Sequence, residues 1–157
     1  MSLNDGKAIE LFARPGFLVR RLHQIYVAIY LQECEAFGTT PVQTSVMQVA
    51  HLNPGIDQAK LAAEIGVDRT TTSNVLARLE RRALVRRESD LRDKRLRRVF
   101  LEAAGETLLA EMRGALDRAH GRLIAPLPAE EREAFTRTLR RLVEANNLHS
   151  RTSLRIL

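Results

Sequence analysis

The chain is expected to fold mainly as α-helix around one small β-hairpin: four helices, the hairpin, then two more helices. Three observations predict this. Of 157 residues, 45% are hydrophobic but only 4% aromatic, and Trp is absent, so Leu, Ala and Val must fill the core, a mix that favours helix. Apolar residues recur at three- and four-residue spacing over most of the length. Only two short stretches, 84–87 and 97–101, read as strands. A chain of this length supports one domain, taken as residues 1–157.

Residues 15–36 read as a long helix with Pro15 near its start. Leu18, Leu22, Ile25 and Ile29 form one apolar face, and Val19, His23, Tyr26, Tyr30 and Cys34 a neighbouring stripe. Gly38 closes it. Thr40-Pro41-Val42-Gln43 opens the next helix, with Thr40 as N-cap, Pro41 as first helical residue and Gln43 completing a capping box. Val42, Val46, Val49 and Leu52 are its expected buried side, and Asn53-Pro54-Gly55 stops it. Asp57 caps a short helix with Leu61, Ala62 and Ile65 inward, ending at Gly66. Asp68 caps a helix over 69–82 with Thr72, Val75, Leu76 and Leu79 inward. The polar segment 89–96 is the expected hairpin loop. A helix over 103–124 carries Leu108, Met112, Ala115, Ala119 and Leu123, and Pro126-Leu127-Pro128 breaks the chain. A last helix over 130–147 carries Phe135, Leu139, Leu142 and Val143, with Glu130 and Glu131 at its positive end. The tail from Asn147 is expected to fray. The first and the last two helices carry more apolar surface than a small central unit can cover, which favours burial against a second copy.

Charge is concentrated. Residues 78–98 hold ten Lys/Arg against four acids, a net +6 that equals the formal charge of the whole chain. Such a block fits a polyanion partner, duplex DNA first. The residues before it supply a reading element. Helix 57–65, the Gly66 turn and helix 69–82 match helix-turn-helix spacing, with Gln58, Ala62, Gly66, Val67 and Val75 at the positions that motif requires. At about 100° per residue, Thr70, Ser73, Asn74, Ala77 and Arg81 point away from the core, short groups suited to base edges. Arg69 and Arg78 flank them, where phosphates run. Thr70 and Thr71 place hydroxyls and amides at a helix N-terminus, a natural phosphate site. A solvated, capped surface helix is the plainer alternative; it explains Asp68 but not three threonines and a serine in a row. With the basic hairpin added, the unit reads as a winged helix-turn-helix.

These residues also resemble a known family. Asp68-Arg69-Thr70-Thr71-Thr72, Leu79 through Arg87, Asp93-Lys94-Arg95 and Leu101-Glu102-Ala103-Ala104-Gly105 are similar to the core signature of the MarR family of bacterial transcriptional regulators. The resemblance implies a mainly α fold with a winged helix-turn-helix at about 40–101 and dimerisation helices at about 10–37 and 103–147. It implies a homodimer on a pseudo-palindromic operator, a repressor released by a small ligand. The family's Asp-x-Arg in the wing falls on Asp93 and Arg95; the Arg would enter the minor groove while the Asp orients it. The expected DNA-contacting set is Arg69, Thr70, Thr71, Ser73, Asn74, Arg78, Arg81, Arg92, Asp93, Lys94, Arg95 and Arg97. The family has Gly after the recognition helix, where this chain has Ala83; in the left-handed region that residue costs about 1 kcal/mol.

Arg14 through Ile25 and Thr40 through Gln43 resemble a subgroup that controls breakdown of aromatic acids or their thioesters. The family's ligand site lies between the dimerisation helices and the DNA-binding lobe, which here points to Arg20, His23, Tyr26, Met47 and His51. A carboxylate wants a cation or imidazole there, and a ring wants aromatic and thioether walls. For each residue alone, ordinary packing is the competing explanation. Cys34, one turn from Tyr30, raises the alternative of a thiol-based redox sensor, although Glu33 and Glu35 beside it oppose thiolate formation. A helical adaptor that binds no DNA is a third reading.

Catalysis is not expected. The four His (23, 51, 120, 149) lack metal spacing, and no Gly-rich phosphate loop, nucleophile elbow or convergent acid–base set appears. No cofactor is expected. A single Cys excludes an intramolecular disulfide and fits a reducing, cytoplasmic setting. No signal peptide is expected, since MSLNDGKAIE holds no long apolar run, and no run approaches the ~18 apolar residues of a membrane span. A soluble chain with no membrane partner is expected.

Overall fold

A computed structural model describes residues 10–149. The amino-terminal segment weighed above as a signal peptide and the far carboxyl-terminal tail lie largely outside that range. Helix α1 spans Pro15–Cys34 and tightens into a 3-10 turn, Glu35–Phe37, which accounts for the last two residues expected to be α-helical. Gly38 takes φ 60° and closes the turn by donating its N–H to the Glu35 carbonyl. Helix α2 spans Pro41–Leu52 and begins with the expected capping box, Thr40 and Gln43 each accepting from the other's backbone. Helices α3 (Gln58–Ile65) and α4 (Arg69–Arg81) follow, then α5 (Ala103–Ile124) and α6 (Ala129–Asn146).

The sheet departs from the simple hairpin. A two-residue strand β1, Ile56–Asp57, joins β2 (Val85–Ser89) and β3 (Arg97–Leu101) in the antiparallel order β1-β3-β2. Pairing of Val85 with Leu101 and Ser89 with Arg97 shifts the first hairpin strand from the expected 84–87 to 85–89 and shortens the loop to 90–96. Ile56 pairs with Val99. Two residues are too few for a period-2 signal, so β1 was invisible to patterning. Asp57 ends that strand while its carboxylate accepts the Ala59 and Lys60 amides, which fixes where α3 starts relative to the wing.

The core gathers Tyr30, Val46, Met47, Leu61, Leu76, Leu79, Val99 and Met112, all essentially sealed from solvent. On α1 it is the Tyr30–Cys34 stripe that turns inward, whereas Leu18 and Ile25 of the other face stay about half exposed. On α2, Leu52 is 66% exposed, against expectation, and Met47 and Ala50 take the inward positions instead. Glu33 of α1 accepts from Arg118 and Arg122 of α5, both at 2.8 Å, which clamps the two long helices together. Helix α6 buries no residue.

Ala83 sits at φ 54°, the only non-Gly residue with positive φ among the described residues. Its N–H reaches the Glu80 carbonyl and that of Leu84 the Leu79 carbonyl, the paired bonds of a Schellman cap. The cap thus imposes left-handed geometry on a residue with a Cβ. Ala83→Gly is expected to stabilise the fold by about 1 kcal/mol, read as a thermal melt higher by a few degrees. An unchanged or lower melt would mean the strain is absent.

Candidate nucleic-acid interface

Asp68 starts α4 by accepting the Thr71 amide at 2.8 Å and the Thr71 hydroxyl at 2.7 Å. The Thr71 amide bond leads the effects that hold its carboxyl below the usual range. Thr71 therefore serves the cap: its amide and its hydroxyl both donate to Asp68. Thr72, Leu76 and Leu79 are fully buried, as the helical wheel required. Thr70, Asn74, Arg78 and Arg81 are exposed and Ser73 is half-buried, so the outward face of α4 is the expected one.

The charge block resolves into two populations. Each of its four acids is paired within the block. Glu80 takes Arg87 at 2.7 Å, Glu88 takes Arg86 at 2.7 Å, Asp90 takes Arg98 at 2.7 Å, and Asp93 takes Arg95 at 3.5 Å. Arg86 also reaches Glu102 at 3.0 Å and stacks 4.3 Å above the Phe100 ring. Arg82 turns away to donate to the Phe37 and Gly38 carbonyls. What remains is a set of cations in no ion pair among the described residues: Arg78 and Arg81 at the end of α4, and Arg92, Lys94 and Arg97 in the wing. Arg69, at the start of α4, is equally unpaired. Arg97 donates to Ser89 across the hairpin at 2.9 Å.

The wing is anchored by Asp90. One carboxylate oxygen accepts the Arg92 and Asp93 amides at 2.8 and 2.9 Å, and the other accepts from Arg98. These bonds, the Asp93 amide foremost, lower its pKa to about 2. Asp93 in turn accepts the Arg95 amide at 3.0 Å, and the Arg95 side chain projects with 94% exposure. Arg69, Arg95 and Arg97 meet Gln58 around a cavity of about 320 Å³ between the start of α3, the start of α4 and the wing.

A second cavity, about 530 Å³, lies between α2 and α5. His51 and Leu52 come from one side, and Glu106, Leu109, Arg113 and His120 from the other. The His51 Nδ1 lies 2.7 Å from a Glu106 oxygen. Of the effector candidates only His51 lines it. Tyr26 approaches indirectly, stacked on His120 with ring centroids 5.3 Å apart. Met47 is sealed in the core and does not line this cavity. Arg20 lies over Phe17 and neither it nor His23 reaches this cavity, because α1 presents that stretch elsewhere. Patterning missed Arg113, Glu106 and His120, whose signal was a seven-residue polar spacing along α5 interleaved with Leu109 and Leu116. Cys34 is buried, and burial first, then Glu33, pushes its thiol pKa up against the pull of Tyr30.

The MarR family model matches residues 39–96, from the turn before α2 to the end of the wing loop. The transcriptional regulator HosA of Escherichia coli O157:H7 is 36% identical over 125 residues, covering 80% of this chain and 91% of HosA. The chain belongs to the MarR family. Its winged helix is therefore that of the MarR transcriptional regulators. The transcriptional repressor CouR, solved bound to a 23-mer DNA duplex, superposes with a TM-score of 0.81 at 26% identity, covering 91% of this chain and 99% of that one. BpsR of Bordetella bronchiseptica, whose DNA binding is regulated by 6-hydroxynicotinic acid, superposes with a TM-score of 0.76 at 27% identity, covering 81% and 96%. Among the described residues, no helix is long and apolar enough to cross a membrane.

Proposed function

We propose that this MarR-family chain is a homodimeric repressor that works on a pseudo-palindromic operator in the cytoplasm. Helix α4 reads the major groove through Thr70, Ser73 and Asn74, and Arg95 enters the minor groove. Arg69, Arg78, Arg81, Arg92, Lys94 and Arg97 hold phosphates. The observation that carries this reading is the internal pairing of all four acids in residues 78–98, which leaves the block's free cations on α4 and the wing. The DNA-bound repressor CouR supports both the partner and the direction of regulation. Leu18 and Val19 on α1, with Leu142 and Val143 on α6, are about half exposed, and a second copy would cover them.

The effector is a small aromatic carboxylate or its thioester, bound between α2 and α5. Arg113, His51 and His120 offer charge and imidazole to a carboxylate, while Leu52, Leu109 and Leu116 offer apolar walls. The response of BpsR to 6-hydroxynicotinic acid supports this class. Burial of Cys34 argues against the thiol sensor.

The test is release of bound DNA by a panel of benzoate, hydroxybenzoate and nicotinate. Arg113→Ala and His51→Ala are each expected to shift release about tenfold to higher acid concentration, the worth of one charge-assisted hydrogen bond, with ligand-free DNA affinity unchanged. Arg20→Ala is expected to respond like the parent. Parental release from both Arg113→Ala and His51→Ala would place the effector elsewhere.

A further inference from the structure

Arg87 lies on β2 with its side chain only 22% exposed. Its Nη2 donates to Glu80 at 2.7 Å, and its Nη1 donates to Gln58 Oε1 and Ser73 Oγ, both at 3.4 Å. One guanidinium thus links the second strand, the first residue of α3 and two turns of α4. A guanidinium only donates, so each of these partners is held as an acceptor.

For Ser73 this has a chemical consequence. A hydroxyl carries one hydrogen, and with Arg87 donating to the oxygen, that hydrogen must seek a different acceptor. Within a helix the usual acceptor is the carbonyl four residues back. Ser45, Thr107, Thr136 and Thr138 all donate to theirs. Ser73 does not; its bond from Arg87 is its only side-chain hydrogen bond among the described residues. Gln58 is constrained in the same way. Its carbonyl oxygen accepts from Arg87, so its NH₂ group turns away from the guanidinium. Gln58 also lines the 320 Å³ cavity with Arg69, Arg95 and Arg97. The one acid there, Asp57, already accepts the Ala59 and Lys60 amides. A cavity with three guanidiniums and an amide donor suits an oxyanion.

We propose that Arg87 is a positioning residue that sets Gln58 and Ser73 as one-way donors toward DNA. The Gln58 amide joins Arg69 and Arg97 in seating one backbone phosphate between α3, α4 and the wing, Arg95 passing the same cavity on its way to the minor groove, and the Ser73 hydroxyl donates to an acceptor on the groove edge. Glu80 keeps the guanidinium in place. This rests on the DNA reading above and extends it to Gln58 and Arg87, neither of which belongs to the interface that patterning picked out.

The experiment is a double-mutant cycle in gel-shift titrations, using the duplex that the parent protein enriches from a random pool. Gln58→Ala and Ser73→Ala are each expected to weaken binding about fivefold in the parent. In Arg87→Met each should cost less than about twofold, because the donor orientation is already lost. Arg87→Lys retains the charge beside Glu80 but not the fork, and should fold like the parent yet show the same loss of coupling. A purely structural role predicts instead that Arg87→Lys restores binding and that the two alanine costs stay additive; that result overturns the proposal, as does no cost from either alanine in the parent. A parent protein that enriches no duplex would overturn the DNA reading itself and the proposal with it.

Discussion

Gly105→Ala is expected to destabilise the fold by about 3 kcal/mol, while Gly121→Ala on the same helix stabilises it by about 0.5–1 kcal/mol. Both changes gain helix propensity, which favours Ala. They differ in what the new methyl meets. At Gly105 a Cβ would lie 2.4 Å from the Leu84 carbonyl oxygen and 2.5 Å from Leu101 Cδ1; at Gly121 nothing lies within 4 Å. The Leu84 carbonyl also accepts the Glu102 amide at 2.9 Å, the bond that docks the start of α5 onto the sheet. Backbone must move to admit the methyl, and that bond lengthens or breaks. Overpacking outweighs propensity at one site and is absent at the other. Urea titrations with matching slopes check the pair. Equal effects at the two glycines would contradict the contact between α5 and the wing base.

Arg95→Ala is expected to weaken DNA binding by roughly tenfold to a hundredfold, the range for losing one groove-inserted Arg, without changing the melt. The side chain is 94% exposed, so the folded state gains little from it. Asp93 receives the Arg95 amide and faces its guanidinium. Asp93→Ala should therefore also weaken binding, by less, since the arginine remains but is no longer steered. Gel shifts on the enriched duplex measure both. A parental affinity for Arg95→Ala would remove the wing from the minor groove.

Much of this was legible because caps are local chemistry. Thr40 with Gln43, Asp57 and Asp68 each announce a helix start through side chains that accept nearby amides, and all three do so in the folded chain. The outward face of α4 follows from 3.6-residue periodicity alone. What stayed hidden depends on distant pairing. Strand β1 exists because Ile56 meets Val99, a partner over forty residues away in sequence. Thr71 looked like a free hydroxyl because composition cannot say which acceptor takes it. The expected contact set already omitted Arg82, Arg86, Arg87 and Arg98, but the carbonyls and acids that each of them holds depend on distant pairing. The α2–α5 cavity was missed for a similar reason. Apolar periodicity locates a helix's buried face, whereas Glu106, Arg113 and His120 form a polar row beside it.

The central claim is that the unpaired cations of α4 and the wing grip duplex DNA through its phosphates. The most direct test is the salt dependence of binding to the enriched duplex. If six or more phosphates are held, affinity should fall by about a thousandfold or more between 50 and 200 mM salt. In a log–log plot, Arg69→Ala, which removes one phosphate contact from each protomer of the proposed dimer, should make the slope shallower by about two units. A flat salt response of the parent protein would contradict the account.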